Sequence, residues 1–545
     1  MNNNAKVRTV CIFFIFCGLF GTAFFHLYGL QIKQHSFFSD LGNRQYYLTL
    51  TTYPDRGLIF DRNGIPLALN KESTAAFIMP HQIKDLEKLT AFLQKEFPAA
   101  YQRLQEKGDA YFLYVKRRLT DAEYQAIIEA DVPDIHFVKE PSRFYPANTT
   151  ATITGTTNID NQGLFGIELL CNAQLAGTAT TAVLEKDARS GLFYFSKKTT
   201  SEGIEPSPVS VTIDGNLQFL VQEELMTTIN KYQVSQGAAI VMDPDTGEIF
   251  ALATYPTFDP NNTQTITPGV TKNVGITECY EFGSAFKAFF ALAALEENIV
   301  TPDELVDCEY RKTTYVEGRK VNTVESSVAG MLTFSEVIQK SNNIGVAKIA
   351  KRLGQPLYDH YKMLGFGTKT HISFPGEQSG FLMPPDRWSA QSVISLSYGY
   401  EVRCTLLQLA TAFSVFCNGG YKISPKLILN EATKEAPEKI YSIESIDTMR
   451  EILQQTAKQG TAKFANVEGY ITMGKTSTAN LLENGHYNQN KNLYGFVGAV
   501  EKGSYKRVIA CFVKESPRHN LYAATVAAPL FERIAEKTLL HDSIW

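Results

Sequence analysis

Three short motifs in this chain place hydroxyl, amine and amide side chains in the order that an acyl-serine enzyme uses them. The motifs are Ser284-Ala285-Phe286-Lys287, Ser341-Asn342-Asn343 and Lys475-Thr476-Ser477. Composition alone would supply about one or two S-x-x-K matches in a chain of this length, so the prediction depends on the order and context of all three. A serine hydroxyl beside a neutral lysine can attack a carbonyl carbon. The pattern therefore predicts acyl transfer through a covalent serine intermediate.

Ser284 and Lys287 are predicted to form the reactive pair. Ser284 opens an apolar run rich in Ala and Phe, so we expect it in the first turn of a buried helix. Residues three apart on a helix are neighbours, which places the amine beside the hydroxyl. The amine must be neutral to act as a base, and burial together with the charge of Lys475 would lower its pKa. The alternative is an ordinary helix start, with Ser284 as the cap and Lys287 extended to water.

The second motif interrupts a helical pattern. Residues 334–352 have helical periodicity, but polar residues unfavourable to helix interiors cluster at 340–343. Such a break fits a bend that exposes side chains to a cleft, where Ser341 relays a proton and the Asn343 amide holds the peptide backbone of a substrate. The alternative is a plain loop between two helices.

The third motif ends a strand-like run at 470–474, and Lys475 with Thr476 can bind a carboxylate through an ammonium and a hydroxyl. The same residues satisfy the phosphate-loop pattern G-x-x-x-x-G-K-[ST], starting at Gly469. Bulky β-forming residues fill that loop, where small residues should let backbone amides converge on a phosphate. We therefore expect a carboxylate site and not a nucleotide site.

Backbone donors near the nucleophile would stabilise an oxyanion. The natural pair is the N–H of Ser284 and the N–H of Thr478, two residues beyond Thr476. This assignment depends on how the strand edge lies against the nucleophile.

The elements around the motifs predict an antiparallel sheet flanked by helices. Two apolar strands joined by a Pro- and Gly-containing turn predict a hairpin over 236–254. Three more strands are expected near 470–475, 494–500 and 507–513, and they complete five strands. Helices are expected at 216–232 and 523–539, with a further strand at 209–214. The fold class is α/β (α+β).

The amino-terminal segment predicts a membrane anchor. No Asp, Glu, Lys or Arg lies between Arg8 and Lys33, and the run from Thr9 to Leu30 is long enough to cross a hydrocarbon layer. Lys6 and Arg8 precede it, which keeps the tail cytoplasmic and sends the rest of the chain outward. A cleaved secretion signal is the alternative, but the apolar run continues past its candidate exit at Ala23.

These boundaries define four regions: a cytoplasmic tail at 1–8, a transmembrane anchor at 9–32, an α+β pedestal domain at 33–205 and a catalytic domain at 206–545. The net charge of −4 is small for 545 residues, so nucleic acid is not an expected partner. The cysteines lack C-x-x-C spacing and neighbouring paired histidines, so no metal site is expected.

Taken together, the chain resembles class B penicillin-binding proteins, and among them the septal peptidoglycan transpeptidase of cell division. The resemblance includes the anchor and short motifs spread over nearly the whole length. In the pedestal they are Arg56-Gly57-Leu58-Ile59-Phe60-Asp61-Arg62-Asn63-Gly64, Arg143-Phe144-Tyr145-Pro146 and Gly166-Ile167-Glu168. In the catalytic domain they include Thr212-Ile213-Asp214, Tyr255-Pro256, Phe374-Pro375-Gly376-Glu377, Ser397-Tyr398-Gly399-Tyr400 and Gly460-Thr461-Ala462.

The resemblance implies a penicillin-binding transpeptidase domain on a pedestal of the dimerisation type. Ser284 would attack the penultimate D-Ala carbonyl of a stem peptide, and an amine of a neighbouring stem would resolve the acyl-enzyme. β-Lactams would inhibit the enzyme covalently, and no cofactor or metal is implied. The implied partners are a membrane glycosyltransferase polymerase and other division proteins, and the implied location is the bacterial inner membrane with the catalytic domain in the periplasm.

Three residues depart from the family pattern. Ser477 stands where glycine is usual and would add a side chain where substrate lies along the strand. Phe282 replaces a usual proline, and Glu401 replaces a usual glycine. Two alternative functions stay open: a catalytically silent penicillin-binding scaffold or sensor, and a hydrolase such as a carboxypeptidase or β-lactamase.

Overall fold

The computed structural model describes residues 3–186, 193–431, 436–483, 485–518 and 520–544. Its contacts divide the chain into two compact units. The first unit contains Met1–Arg56 and Ala176–Pro206, and the second contains Gly57–Leu175 and Ser207–Trp545. The predicted boundaries of the tail, anchor, pedestal and catalytic domain stay predictions.

The first unit contains the apolar helix and a small sheet. The helix Asn3–Tyr28 continues as a π-helical turn at Gly29–Lys33, and a second helix follows at His35–Tyr46. Over Lys6–Lys33 the segment is long and apolar enough to cross a membrane. The predicted anchor falls within this segment. Three antiparallel strands complete the unit at Tyr47–Thr52, Thr180–Lys186 and Phe193–Ser201.

The amino-terminal part of the second unit is an α+β region around one long strand, Pro66–Ile78. Its partners are Ile59–Phe60, Leu113–Lys116 and His136–Phe144. The helices are Leu86–Glu96, Pro98–Glu106, Asp121–Ala130, Ala151–Thr154, Gly166–Leu170 and Asn172–Ala176. A separate apolar core forms here because the helices bury one face against the strand, including Leu89, Leu93 and Ile127.

The carboxyl-terminal part of the second unit is built on a five-stranded antiparallel sheet, as predicted. In spatial order its strands are Ile249–Tyr255, Gln236–Met242, Tyr505–Lys514, His486–Lys502 and Ile471–Glu483. The last of these, which contains Lys475, is an edge strand, and we call it the lysine strand. The strand predicted at 209–214 is only two residues long, Val209–Ser210, because the chain turns into a helix cap at Asp214.

Side chains alternate between the two faces of this sheet, as strand geometry requires. Ala239 and Val241 pack in the core with the helices Gly215–Tyr232 and Ala523–His541. Ala238 and Ile240 pack in the other core, which contains the helix Phe286–Glu296. The helix Phe286–Glu296 is buried along almost its whole length, and we call it the nucleophile helix.

The remaining elements surround the nucleophile helix and form its half of the domain. The helices are Val274–Thr277, Phe334–Gln339, Asn343–Leu353, Pro356–Met363, Ser392–Ser397, Leu406–Phe413 and Ile443–Lys458. Short antiparallel ladders pair Leu305–Asp307 with Met331–Thr333, Thr313–Val316 with Arg319–Asn322, Phe381–Leu382 with Val402–Arg403, and Tyr421–Lys422 with Glu438–Lys439.

Candidate active site

Ser284 lies in a single 3-10 turn, Gly283–Ala285, that leads into the nucleophile helix. The Ala285 N–H donates to the Phe282 carbonyl at 3.1 Å and closes this turn. Gly283 has φ +46°, a conformation that suits glycine. A side chain at Gly399 would meet the Gly283 carbonyl oxygen at 2.1 Å, so the Ser-Tyr-Gly-Tyr segment must have glycine there to approach the turn. We call residues 282–285 the nucleophile turn.

Lys287 is fully buried, which excludes the alternative in which its side chain extends to water. Its Nζ lies 2.7 Å from the Ser341 carbonyl oxygen, 3.0 Å from Ser341 Oγ and 2.5 Å from Asn343 Oδ1. These contacts are neutral oxygens and not carboxylates. Burial lowers the pKa of Lys287 well below the ordinary lysine value, and the nearby charge of Lys475 lowers it further.

Ser341 and Asn343 reach Lys287 because the helix breaks where the sequence predicted. One helix ends at Gln339 and the next begins at Asn343. Ser341 has φ +55°, a strained conformation for a residue with a side chain. The Asn343 Nδ2 donates to the Asn322 carbonyl at 2.5 Å, so the hairpin of Thr313–Val316 and Arg319–Asn322 fixes the orientation of this amide.

Asn342 is a positioning residue that the sequence analysis missed. Its side chain is buried, accepts from the Gly345 N–H at 2.9 Å, and donates to the Ser327 carbonyl at 2.7 Å. It therefore caps the second helix and holds the bend between Ser341 and Asn343. The preference of asparagine for helix N-caps is the signal that could have identified it.

Lys475 lies on the lysine strand, opposite Val497 of the neighbouring strand. Its side chain is fully buried, and its Nζ has no hydrogen-bond partner among the described residues. Burial lowers the pKa of Lys475 to about 7. Thr476 beside it donates to the Thr461 hydroxyl at 3.2 Å. The strand continues through Thr476, whereas a phosphate loop would start a helix there, so the nucleotide alternative is wrong.

The nucleophile turn lies against the lysine strand. A side chain on Gly283 would come within 3.4 Å of the Thr478 carbonyl oxygen and 3.3 Å of the Ala479 Cβ. Thr478 is exposed, and its hydroxyl accepts from the Ala523 N–H at 2.9 Å. The two expected oxyanion donors, the N–H groups of Ser284 and Thr478, thus belong to neighbouring segments.

The substitution of serine for glycine at position 477 suggested a side chain that extends into the path of a substrate. The Ser477 side chain does not do so. It is only 1% exposed and its hydroxyl donates to the Phe282 carbonyl. Phe282 is itself buried, with its ring 6.0 Å from that of Phe512. Glu401 has φ +61°, which explains why glycine suits this position, and its N–H donates to Glu281 at 3.0 Å.

The three motifs therefore meet in one place. Lys287 contacts Ser341 and Asn343, the charge of Lys475 acts on Lys287, and the turn that contains Ser284 packs on the lysine strand. The arrangement offers a hydroxyl, a buried amine with a lowered pKa, and a second buried amine without a partner among the described residues. That set can attack a carbonyl next to a carboxylate.

Comparison with known families agrees with this geometry. Residues 237–536 match the model of the penicillin-binding protein transpeptidase domain, and residues 51–204 match the penicillin-binding protein dimerisation domain. The chain belongs to the penicillin-binding proteins. This assignment confirms the predicted family, its fold class and its serine-type transpeptidase chemistry.

Curated relatives of this penicillin-binding protein are matched over most of their length. A probable peptidoglycan D,D-transpeptidase, PbpC of Pseudomonas aeruginosa, is 29% identical over 94% of this chain and 91% of its own. The peptidoglycan D,D-transpeptidase FtsI of Escherichia coli is 27% identical over 88% of this chain and 82% of its own. Penicillin-binding protein 3 of Mycobacterium tuberculosis, solved with aztreonam, has the same fold with a TM-score of 0.69 at 24% identity, covering 91% of this chain and 98% of that one.

Proposed function

We propose that this penicillin-binding protein crosslinks peptidoglycan stem peptides at the division septum through an acyl-Ser284 intermediate. The observation that supports this most is the environment of Lys287. Its amine is buried against three neutral oxygens, and the pKa is lowered well below the usual value. An amine held in this way can be unprotonated near neutral pH and accept a proton from a hydroxyl.

The contacts of Lys287 define its role as the base. A neutral amine has two N–H bonds and one lone pair. Its N–H bonds can go to the Ser341 carbonyl and to Asn343 Oδ1, which leaves the lone pair for a hydroxyl proton. Lys287 then takes the proton of Ser284 as the Ser284 oxygen bonds to the penultimate D-Ala carbonyl carbon. The N–H groups of Ser284 and Thr478 stabilise the resulting oxyanion.

The second half of acylation needs a proton for the leaving D-Ala amine. Ser341 Oγ is 3.0 Å from the Lys287 amine and can pass the proton to the leaving nitrogen. The bond between the carbonyl carbon and that nitrogen then breaks. A neighbouring stem amine attacks the ester carbon, gives up its proton along the same route, and releases Ser284. A β-lactam forms the same ester, but its opened ring stays attached.

Lys475, Thr476 and Asn343 would bind the substrate. A terminal D-Ala carboxylate would pair with the unpartnered Lys475 amine and with the Thr476 hydroxyl, whose proton would turn from the Thr461 oxygen to the carboxylate. One N–H of the Asn343 amide is used by the Asn322 carbonyl, and the other is left for the peptide backbone of the stem. These roles explain why a cation without a counter-ion in the described structure is buried in the site.

We also propose that the chain is inserted in the membrane and acts with other proteins at the septum. The apolar helix near the amino terminus supports a single-pass anchor with the catalytic domain on the outer side of the inner membrane. The relative FtsI supports a place in cell division. The partners would be a membrane glycosyltransferase polymerase and other division proteins, as the resemblance to the septal transpeptidase implies.

Labelling of the full chain in detergent with a fluorescent penicillin tests the proposal. We expect one covalent adduct by intact mass, located on the peptide that contains Ser284, and no adduct in Ser284→Ala. The Ser414→Ala variant is the control, because it removes another buried serine hydroxyl whose bond is to the nearby Ala410 carbonyl. An adduct that persists in Ser284→Ala would contradict the assignment.

The two alternatives differ in the fate of the acyl-enzyme. A silent scaffold or sensor would be labelled by penicillin but give no crosslinked product from lipid-linked precursor supplied with a polymerase. A carboxypeptidase or β-lactamase would release the acyl group rapidly to water. Formation of crosslinked dimers of stem peptides is the outcome expected here.

A further inference from the structure

The hydroxyl of Ser477 lies between the two segments that must be aligned for acylation. It is buried and donates to the Phe282 carbonyl. The same carbonyl accepts the Ala285 N–H, and this bond closes the turn that holds Ser284. Ser477 therefore bonds directly to the backbone of the nucleophile turn.

The other end of this connection is the lysine strand. Ser477 is two residues from Lys475, and side chains two apart on a strand share a face of the sheet. The hydroxyl and the Lys475 amine thus project from one side of one rigid element. The turn also lies close to the next residues of this strand, since a side chain added at Gly283 would come within 3.4 Å of the Thr478 carbonyl oxygen and 3.3 Å of the Ala479 Cβ.

The neighbouring strand completes the arrangement. Gly495 is directly opposite Ser477 in the sheet register. A side chain at Gly495 would lie 3.3 Å from the Phe282 ring. Glycine at this position therefore leaves room for the ring. Phe282 is therefore held through its carbonyl by Ser477 and through its ring by the sheet. A small shift of Phe282 would move Ser284 relative to Lys475.

We propose that Ser477 is a positioning residue that fixes the nucleophile turn at a set distance from the lysine strand and so acts on the acylation step. This inference rests on the proposed acylation of Ser284. It predicts an effect on the rate constant of acylation and not on the preceding binding of the β-lactam, because the Ser477 side chain is buried and its hydroxyl is already bonded to the Phe282 carbonyl. Loss of alignment affects the transition state more than the ground state.

The test is the time course of penicillin acylation by the full chain in detergent, measured over a range of penicillin concentrations. This separates the dissociation constant of the first complex from the rate constant of acylation. For Ser477→Ala we expect the rate constant to fall about tenfold, the effect of one hydrogen bond, with the dissociation constant unchanged within about twofold. Ser414→Ala, the matched loss of a buried hydroxyl, should change neither constant.

An unchanged rate constant in Ser477→Ala, or a change confined to the dissociation constant, would overturn the positioning role. If Ser477→Ala does not give folded protein by circular dichroism, Ser477→Gly is measured under the same criteria. A native chain that is not labelled at all would overturn the proposed function itself. Equal labelling rates in the native and Ser477→Ala chains would overturn only this inference.

Discussion

Two buried clusters of basic side chains in this penicillin-binding protein have opposite surroundings. In the region that matches the dimerisation domain, which we call the pedestal region, Arg143 donates to Glu168 at 2.6 Å, and their side chains are 1% and 0% exposed. Tyr145 donates to the same carboxylate, and Asn70 accepts from the guanidinium. In the candidate active site, Lys287 and Lys475 are just as buried, but their hydrogen bonds in the described structure include no carboxylate.

The presence or absence of a carboxylate partner distinguishes a buried basic side chain with a structural role from one with a catalytic role. A buried cation that is paired stays charged and holds two segments together. A buried amine that has no anion beside it has a lowered pKa. Such an amine can act as a base or bind an anionic ligand. Mutations in the two clusters should therefore change different measurements: stability in the pedestal cluster and acylation in the lysine cluster.

Removing the base should have the largest effect. We expect Lys287→Met to lower the rate of penicillin acylation by about 10³-fold, within the range for a general base, while the chain still unfolds cooperatively. Lys348→Met is the control, because that lysine pairs with Glu309 near the surface of the same domain. Acylation within about tenfold of the native rate would show that another group accepts the Ser284 proton.

Breaking the pedestal pair should instead destabilise the fold. Glu168→Gln leaves the buried Arg143 charge uncompensated, and we expect a loss of about 3 kcal/mol in the free energy of unfolding, measured by urea titration. Acylation per folded molecule should stay at the native rate. Glu72→Gln is the matched control, since Glu72 and its partner Lys139 are largely exposed. Reduced acylation with unchanged stability in Glu168→Gln would contradict a purely structural role for the Arg143–Glu168 pair.

Lys475 should contribute mainly through the ligand carboxylate. A hydrogen bond to a charged group is worth about 1.5–3 kcal/mol, so Lys475→Met should lower the second-order acylation constant by about 10 to 100-fold. A β-lactam methyl ester, which lacks the carboxylate, should lose a similar factor with the native chain and little more with the variant. Independent and additive losses from the ester and from Lys475→Met would contradict direct pairing.

The sequence predicted those parts of the site that depend on local pattern. The apolar run after Ser284 predicted a buried helix, and the polar cluster at 340–343 predicted the break that brings Ser341 to Lys287. The turn between two apolar strands predicted the hairpin at one edge of the five-stranded sheet. Each of these features is encoded within about twenty residues of chain.

The remaining features depend on contacts between distant segments. The sequence predicted a strand only as far as Lys475, whereas the strand continues to Glu483, and no local pattern shows that Ser477 meets the Phe282 carbonyl. It also does not show that Arg143 pairs with Glu168, because the two motifs are separated by other elements. That Lys475 has no partner in the described part of the chain likewise depends on the whole surrounding core, which only the assembled fold defines.

The central claim, that Lys287 is a neutral base while Lys475 is charged, is tested most directly by the pH dependence of penicillin acylation. The rate should rise as Lys287 loses its proton at a pKa far below the ordinary lysine value, and fall above about pH 7 as Lys475 loses its own. We therefore expect a bell-shaped profile in the native chain, and no alkaline decline in Lys475→Arg. A rate that instead climbs about tenfold per pH unit up to about pH 10, as for an unperturbed lysine, would contradict the account.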